Sequence, residues 1–292
     1  MSIAITGSSG FVGSVVKRIL NIPDNLCFDI EKGDDISTES TISTICSRAT
    51  TVIHLAAISG VAKCEQSRSE ASMYNTEATL NLAESMSKLP GMKRLIFSSS
   101  SAVYGEAQSY LMDELHPAEP RTHYGQTKLL AERIMEYSSN SFQIIILRPS
   151  NIYGYGMSWK EGTVLSLFIS AHLEKRPITI TGSGSQKRDF VHIVDISRLY
   201  ARLATAPSSR SGIYNIGGNE TVSMRALAEM VNEVGESVLG YRVPIEFKPD
   251  ANESLYHDFK YVSDKAKHQF QYEPKLNLRY AIAERMMIHL RK

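Results

Sequence analysis

Residues 3–20 read IAITGSSGFVGSVVKRIL. Ile3–Thr6 is apolar on both faces, as a strand buried in a parallel sheet requires, and the apolar residues of Val12–Leu20 recur at helical spacing. Gly7, Gly10 and Gly13 lie between the two. A turn without Cβ atoms lets backbone N–H groups approach an anion, and the helix N-terminus that follows adds a favourable dipole. The spacing differs from the G-x-G-x-x-G of the commonest dinucleotide fingerprint, but the mechanics are the same and predict a pyrophosphate cradle. The bland alternative is a glycine-rich turn that only reverses the chain, and the strand-to-helix context weighs against it.

The same alternation continues outward from this unit. Leu26–Ile30, Thr51–Ala56, Arg94–Phe97 and Gln143–Leu147 read as buried strands; Thr41–Cys46, Met73–Leu89 and Tyr124–Tyr137 carry helical spacing. Strand and helix in repeated succession predict the α/β class with a doubly wound parallel sheet. After about residue 155 the alternation loosens, and Gly182, Gly184, Gly217 and Gly218 mark turns. Residues 1–155 are therefore expected to form mainly the sheet domain, with a return segment near 189–205. Residues 156–292 are expected to form mainly a smaller C-terminal lobe.

Lys plus Arg is 32 and Asp plus Glu is 31, so there is no basic surplus for a nucleic-acid partner. No apolar run approaches the roughly 20 residues of a membrane span. The opening MSIAITGSSG lacks a basic segment followed by an apolar signal core, and Cys27, Cys46 and Cys64 make neither a metal-ligand spacing nor an even disulfide set. These features predict a cytoplasmic protein without a structural metal.

Asp29 ends the second strand about 20 residues after the glycines, where an acid accepts hydrogen bonds from a ribose diol and repels a ribose phosphate. That favours NAD over NADP; the alternative is a loop acid grouped with Glu31, Asp34 and Asp35. Tyr124 and Lys128 are four apart on one helix face, so an ammonium can favour the ionised phenol. The spacing alone is weak, since Tyr256 with Lys260 and Tyr261 with Lys265 repeat it. Only Tyr124 opens a helix at the carboxyl edge of the sheet, where ligands bind; the other two read as surface pairs of the distal lobe.

Leu95–Gly105, LIFSSSSAVYG, places four serines at a strand end. Period-two alternation puts Ser98 and Ser100 on one face and Ser99 and Ser101 on the other.

TGSSGFVG, VIHLAA, the serine run before VYG, YGQTK, RPSNIYG and SQKRDFVHIVDIS occur in this order between Met1 and about Gly218. As a set they resemble the extended short-chain dehydrogenase/reductase family, in its NAD-dependent nucleotide-sugar epimerase/dehydratase branch. The resemblance implies a Rossmann-type sheet, bound NAD and a nucleotide-diphosphate sugar as substrate. It selects Ser100 as the catalytic hydroxyl beside Tyr124, the proton acceptor, and Lys128, which would hold the nicotinamide ribose and lower the phenol's pKa. It leaves Ser98 beside the cofactor and Ser99 satisfying backbone groups. Gly7, Gly10, Phe11, Val12 and Gly13 would meet the pyrophosphate, Asp29 the adenosine ribose, and Asp35 with Ile36 the adenine. Leu55, Ala56, Ala57 and Asn75 would line the cofactor, and Asn151 with Arg188 would hold the substrate diphosphate. A helix-capping Asn151 and a solvated Arg188 are the bland readings. The resemblance also implies a homodimer through helices Met73–Leu89 and Tyr124–Tyr137.

Dehydratases of this branch have an acidic pair just after the catalytic hydroxyl, and here those positions hold Ser101 and Ala102. Elimination of water needs a proton donor and a second base, so the expected reaction is redox-neutral epimerisation, at C4, through a transient ketone. A 4-keto-sugar reductase consuming NAD(P)H is the alternative with the same triad, and a non-catalytic NAD sensor would not need it. Two departures bear on the substrate. The chain from Asp29 to Asp35 is short, and KPDANES (Lys248–Ser254) stands where the family has Arg-Pro-Gly-Asp, leaving Arg242 or Lys248 as candidates for a second phosphate contact.

Overall fold

The computed structural model describes residues 2–89, 91, 94–138, 142–155, 162–207, 210–249 and 258–291. Four strands, β1 (Ile3–Thr6), β2 (Cys27–Phe28), β3 (Thr51–His54) and β4 (Arg94–Ser98), join strands Gln143–Pro149 and Gly212–Ile216 in one parallel sheet. From one edge the order is Gly212–Ile216, Gln143–Pro149, β4, β3, β1, β2. The chain leaves β1 to one side for β2 and returns to the other for β3, so the carboxyl end of β1 is the switch point of a doubly wound sheet.

Side chains alternate across this sheet, and the two faces are the two halves of the core. Ala4, Val52, Leu95, Phe97, Ile144 and Ile146 pack with α2 (Glu39–Arg48) and helices Ala78–Ser87 and His123–Ser138. Their neighbours Ile5, Ile53, Ile96, Ile145 and Leu147 face α1 (Phe11–Leu20) and helix Ile193–Thr205. Parallel strands covered on both sides explain the unbroken apolar runs. A separate apolar cluster holds the lobe, with Leu165, Ile169, Leu227, Val231, Leu278 and Ile282 from three helices around Ile178, Ile180 and Phe190.

Several element bounds differ from expectation. The second strand is only Cys27–Phe28, an edge strand paired at Ile5–Cys27 and Thr6–Phe28; Asp29 then caps the turn Ile30–Lys32 by accepting from the Glu31 amide. β3 stops at His54, and the helix expected from Met73 runs on directly from helix Arg68–Ser72, widening over Met73–Glu77 before Ala78–Ser87. The return to the sheet begins with strand Lys187–His192 and continues past Thr205 to Ile216. Among the described residues no helix is long and apolar enough to cross a membrane.

The loop after β1 explains two of its glycines. Gly7 has φ 67°, and a Cβ there would lie 2.8 Å from the Ala56 amide nitrogen. Gly13 lies in α1, and its Cβ would stand 1.9 Å from the Gly7 carbonyl oxygen, so loop and helix pack backbone on backbone. Gly13→Ala should push the helix off the loop and destabilise the protein by about 1–3 kcal/mol, lowering the melting temperature and the retention of NAD together. An unchanged melting temperature and full cofactor retention would show that the close approach is dispensable.

Candidate active site

A cleft of about 2030 Å³ runs from the glycine loop along the carboxyl edge of the sheet into the lobe. Gly7, Gly10, Phe11, Val12, Gly13, Asp29, Ile36, Leu55, Ala56 and Ala57 line one end of it. Ser98, Ser100, Tyr124 and Lys128 line the middle, and Asn151 and Arg188 the lobe end. Two expected residues do not reach it. Asn75 is fully buried behind the wall, where its amide holds Ile58 by accepting from the Ile58 nitrogen at 2.8 Å and donating to the Ile58 oxygen at 3.1 Å. Asp35 turns to Ser37, whose amide and hydroxyl it accepts at 2.8 and 2.7 Å, while Asp34 faces the cleft in its place.

The residues of the first end fit the pyrophosphate and adenosine of NAD. No side chain caps α1 and no acid lies in its first turn, so the dipole end stays available to an anion. Glycine at 7 and 13 lets the loop pack backbone on backbone against the strand end at Ala56 and against α1, and this loop and the start of α1 line the cleft. Asp29 is buried and accepts from the Ser9 amide at 2.8 Å and the Glu31 amide at 3.1 Å. Each carboxylate oxygen keeps a further lone pair for a ribose hydroxyl.

In the middle of the cleft, β4 delivers the serine run and helix His123–Ser138 delivers Tyr124 and Lys128. Ser100 caps the short turn Ser101–Val103, accepting from the Ala102 amide at 3.1 Å. Ser99 departs from the expectation that its hydroxyl satisfies backbone groups: the hydroxyl donates to the Glu132 carboxylate. The Lys128 ammonium donates to the Ser98 carbonyl at 2.9 Å and lies over the Phe97 ring. Burial pushes the Tyr124 phenol up to about 12, with the Ser100 hydroxyl acting against it. Burial pushes Lys128 down to about 8, against the charges of Cys64 and Glu132. At neutral pH the phenol is therefore protonated and the ammonium charged.

At the lobe end, Asn151 caps no helix; its amide donates to the Asp189 carbonyl at 3.0 Å and ties two strands together. Arg188 is exposed to the cleft, donating to the Lys187 carbonyl at 2.7 Å; Arg121 also lines the cleft, as does Arg176, which is paired with Glu174 at 2.6 Å. Arg242 is engaged elsewhere, with Glu229 at 2.6 Å and Glu236 at 3.2 Å, and neither it nor Lys248 lines the cleft. Residues 250–254 of KPDANES, and Tyr256, lie outside the described residues. Of the pair expected on the surface, Lys265 is exposed there and Tyr261 is not. Tyr261 is buried and donates to the Arg148 carbonyl at 2.8 Å, while Lys265 lies over the Tyr214 ring. Sequence reasoning missed Asp34, whose only signal is adjacency to Asp35, and Glu132, eight residues after Tyr124 on the same helix.

The depressed Lys128 pKa carries a stability consequence. Between about pH 8 and the ordinary lysine value of 10.5 the unfolded chain holds this proton and the folded protein does not, so stability rises with pH across that window. In nucleotide-free protein, Lys128→Met should be more stable than wild type at pH 7. Its advantage should shrink as pH is raised from 8 to 10, read by denaturant unfolding at each pH. An advantage that is constant with pH would contradict a buried, desolvated ammonium.

The profile of the NAD dependent epimerase/dehydratase family matches residues 3–217. A putative UDP-glucose 4-epimerase of Methanocaldococcus jannaschii is 31% identical over 80% of this chain and 82% of its own length. UDP-glucuronic acid decarboxylase 1 of Arabidopsis thaliana is 28% identical over 96% of this chain and 67% of its own. Among solved structures, the UDP-glucuronic acid 4-epimerase of Bacillus cereus with UDP-glucuronic acid and NAD superposes with a TM-score of 0.81 at 25% identity, covering 99% of this chain and all of the other. The sheet with its switch point, the glycine cradle and the family match agree: the chain belongs to the NAD-dependent epimerase/dehydratase family.

Proposed function

We propose that the protein epimerises a nucleotide-diphosphate sugar at C4 with tightly held NAD. The observation that supports this reading is a single cleft lined by Ser100, Tyr124 and Lys128, by the glycine loop and by Arg188. Bound NAD supplies the hydride acceptor and donor, and a positive charge near the phenol. The Tyr124 phenol, once ionised, takes the O4 proton of the sugar while Ser100 donates a hydrogen bond to the same oxygen. The C4–H bond breaks with its electron pair and the C4–O4 bond becomes a ketone. Return of the hydride to the opposite face and of the proton from Tyr124 to O4 gives the epimer, with no net redox change. Lys128, charged at neutral pH, holds the nicotinamide ribose; its ammonium and the cofactor's charge together offset the burial that keeps the phenol protonated. Gly7, Gly10, Phe11, Val12 and Gly13 hold the pyrophosphate, Asp29 the adenosine ribose, with Asp34 and Ile36 toward the adenine. Arg188 and Asn151 bind the substrate diphosphate, the planar guanidinium pairing two oxygens.

Ser101 and Ala102 follow the catalytic hydroxyl and provide no acid, which disfavours dehydration. The cytoplasm and a homodimer complete the reading. Helices Ala78–Ser87 and His123–Ser138 cover one face of the sheet, and Leu130 and Tyr137 remain exposed on the latter.

Purified protein offered UDP-glucose, UDP-N-acetylglucosamine and UDP-glucuronate without added cofactor should interconvert one C4 pair, and light scattering should give a dimer mass. Strict dependence on added NADH or NADPH would establish the reductase instead. Carbon dioxide release from UDP-glucuronate would establish a decarboxylase, and a monomer mass would remove the dimer. Tyr124→Phe should abolish turnover, with loss on the order of 10²–10⁴-fold, and leave NAD content near that of wild type. Persisting activity would remove Tyr124 from its role.

A further inference from the structure

Three consecutive residues at the end of β4 meet three residues spaced four apart on helix His123–Ser138. The Ser98 carbonyl accepts from Lys128 at 2.9 Å, and the Ser100 hydroxyl acts on the Tyr124 phenol. Between them the Ser99 hydroxyl donates to the carboxylate of Glu132, the next residue along the same helix face. Glu132 is 1% exposed and Ser99 2%.

Glu132 is in turn braced from the neighbouring strand. Arg148 forks onto it, Nε at 2.9 Å and Nη2 at 2.6 Å, with both side chains buried. The remaining Arg148 nitrogen Nη1 donates to the Tyr104 hydroxyl at 2.8 Å, which donates to Asn215 Oδ1 at 2.6 Å. The Tyr261 hydroxyl, whose one proton is shared with the Arg148 carbonyl at 2.8 Å, lies 3.0 Å from the same Asn215 oxygen. The network thus links β4, strand Gln143–Pro149, strand Gly212–Ile216 and the helix directly behind the cleft wall. A buried ion pair is weak evidence for stability, because well-packed apolar side chains hold two elements together as firmly. What it adds is direction: hydrogen bonds of fixed length and angle admit one register, where apolar contact admits small slips.

We propose that Ser99 and Glu132, braced by Arg148, are positioning residues: the hydrogen bond between them fixes the register of the serine strand end against helix His123–Ser138, so that Ser100 and Tyr124 converge on one substrate oxygen. Neither residue touches the substrate; each acts through its neighbours in sequence or on the helix face. The role rests on the hydride-transfer reading of the site.

Ser99→Ala in the full chain tests this, because it removes the clamp and leaves the Arg148–Glu132 pair intact. It should fold, keep its NAD and lose kcat on the order of 10- to 100-fold with KM nearly unchanged. Glu132→Gln, which weakens the Ser99 contact and also breaks the Arg148 ion pair, should lose at least as much, and the double variant no more than Glu132→Gln alone, since the Ser99 contact is shared by both changes. Wild-type kcat in Ser99→Ala, a loss confined to KM, or losses that multiply would overturn the proposal. A second readout needs no substrate. In nucleotide-free protein labelled with ¹³C-lysine, the Lys128 resonance, assigned through Lys128→Arg, should titrate at a lower pH in both variants, because each loosens the ammonium's hold on Ser98 and Glu132→Gln also removes a nearby negative charge. An unchanged midpoint in both overturns the clamp. Should the wild type turn over no nucleotide sugar, the functional reading fails while the titration still decides the clamp.

Discussion

The meeting of β4 with helix His123–Ser138 is the constraint on which the site depends. Hydride transfer needs a hydroxyl donor, a phenol and an ammonium within a few ångströms of one carbon, and these come from two elements that are distant in sequence. Ser98 and Lys128, Ser99 and Glu132, Ser100 and Tyr124 form three successive contacts between them. The apolar halves of the core bring strand and helix together, and the polar contacts decide where along each other they stop. A displacement of about 1 Å at such a seam can change rate by 10²-fold, so a small number of hydrogen bonds matters more here than its share of the stability suggests.

The electrostatics of the cleft follow from the same packing. Burial opposes charge on both Tyr124 and Lys128, raising one pKa to about 12 and lowering the other to about 8. The two shifts leave a neutral acid beside a cation at pH 7. In that resting arrangement the phenol must lose its proton before it can accept one, a loss that positive charge beside it favours. Glu106 and Arg121 also line the cleft wall, so the neighbourhood is polar without placing an acid at positions 101 or 102.

Much of this was legible in the sequence because it is written in local rules. Gly7 and Gly13 stand where a backbone approaches another backbone too closely for a Cβ, and Ile144 to Leu147 is apolar throughout because both faces of its strand are covered. Period-two alternation separated Ser99 from Ser98 and Ser100, but it could not say what Ser99 would meet, since Glu132 and Arg148 arrive by tertiary folding. Asp34 and Asp35 are adjacent acids in an irregular turn, where no periodicity tells which one faces the ligand. Tyr261 carries the same spacing to a lysine as Tyr124, yet it is buried against Asn215, because its short strand pairs with Leu111–Met112 and packs with Val103 and Tyr104.

The return of hydrogen to the carbon it left is the central chemical claim, and a nucleotide sugar deuterated at C4 tests it most directly. Incubated with the protein and no added cofactor, the substrate should yield an epimer that keeps its deuterium at C4, even when unlabelled NADH is present in solution. Washout of deuterium into solvent, or its replacement by hydrogen from added NADH, would contradict hydride return within one closed site.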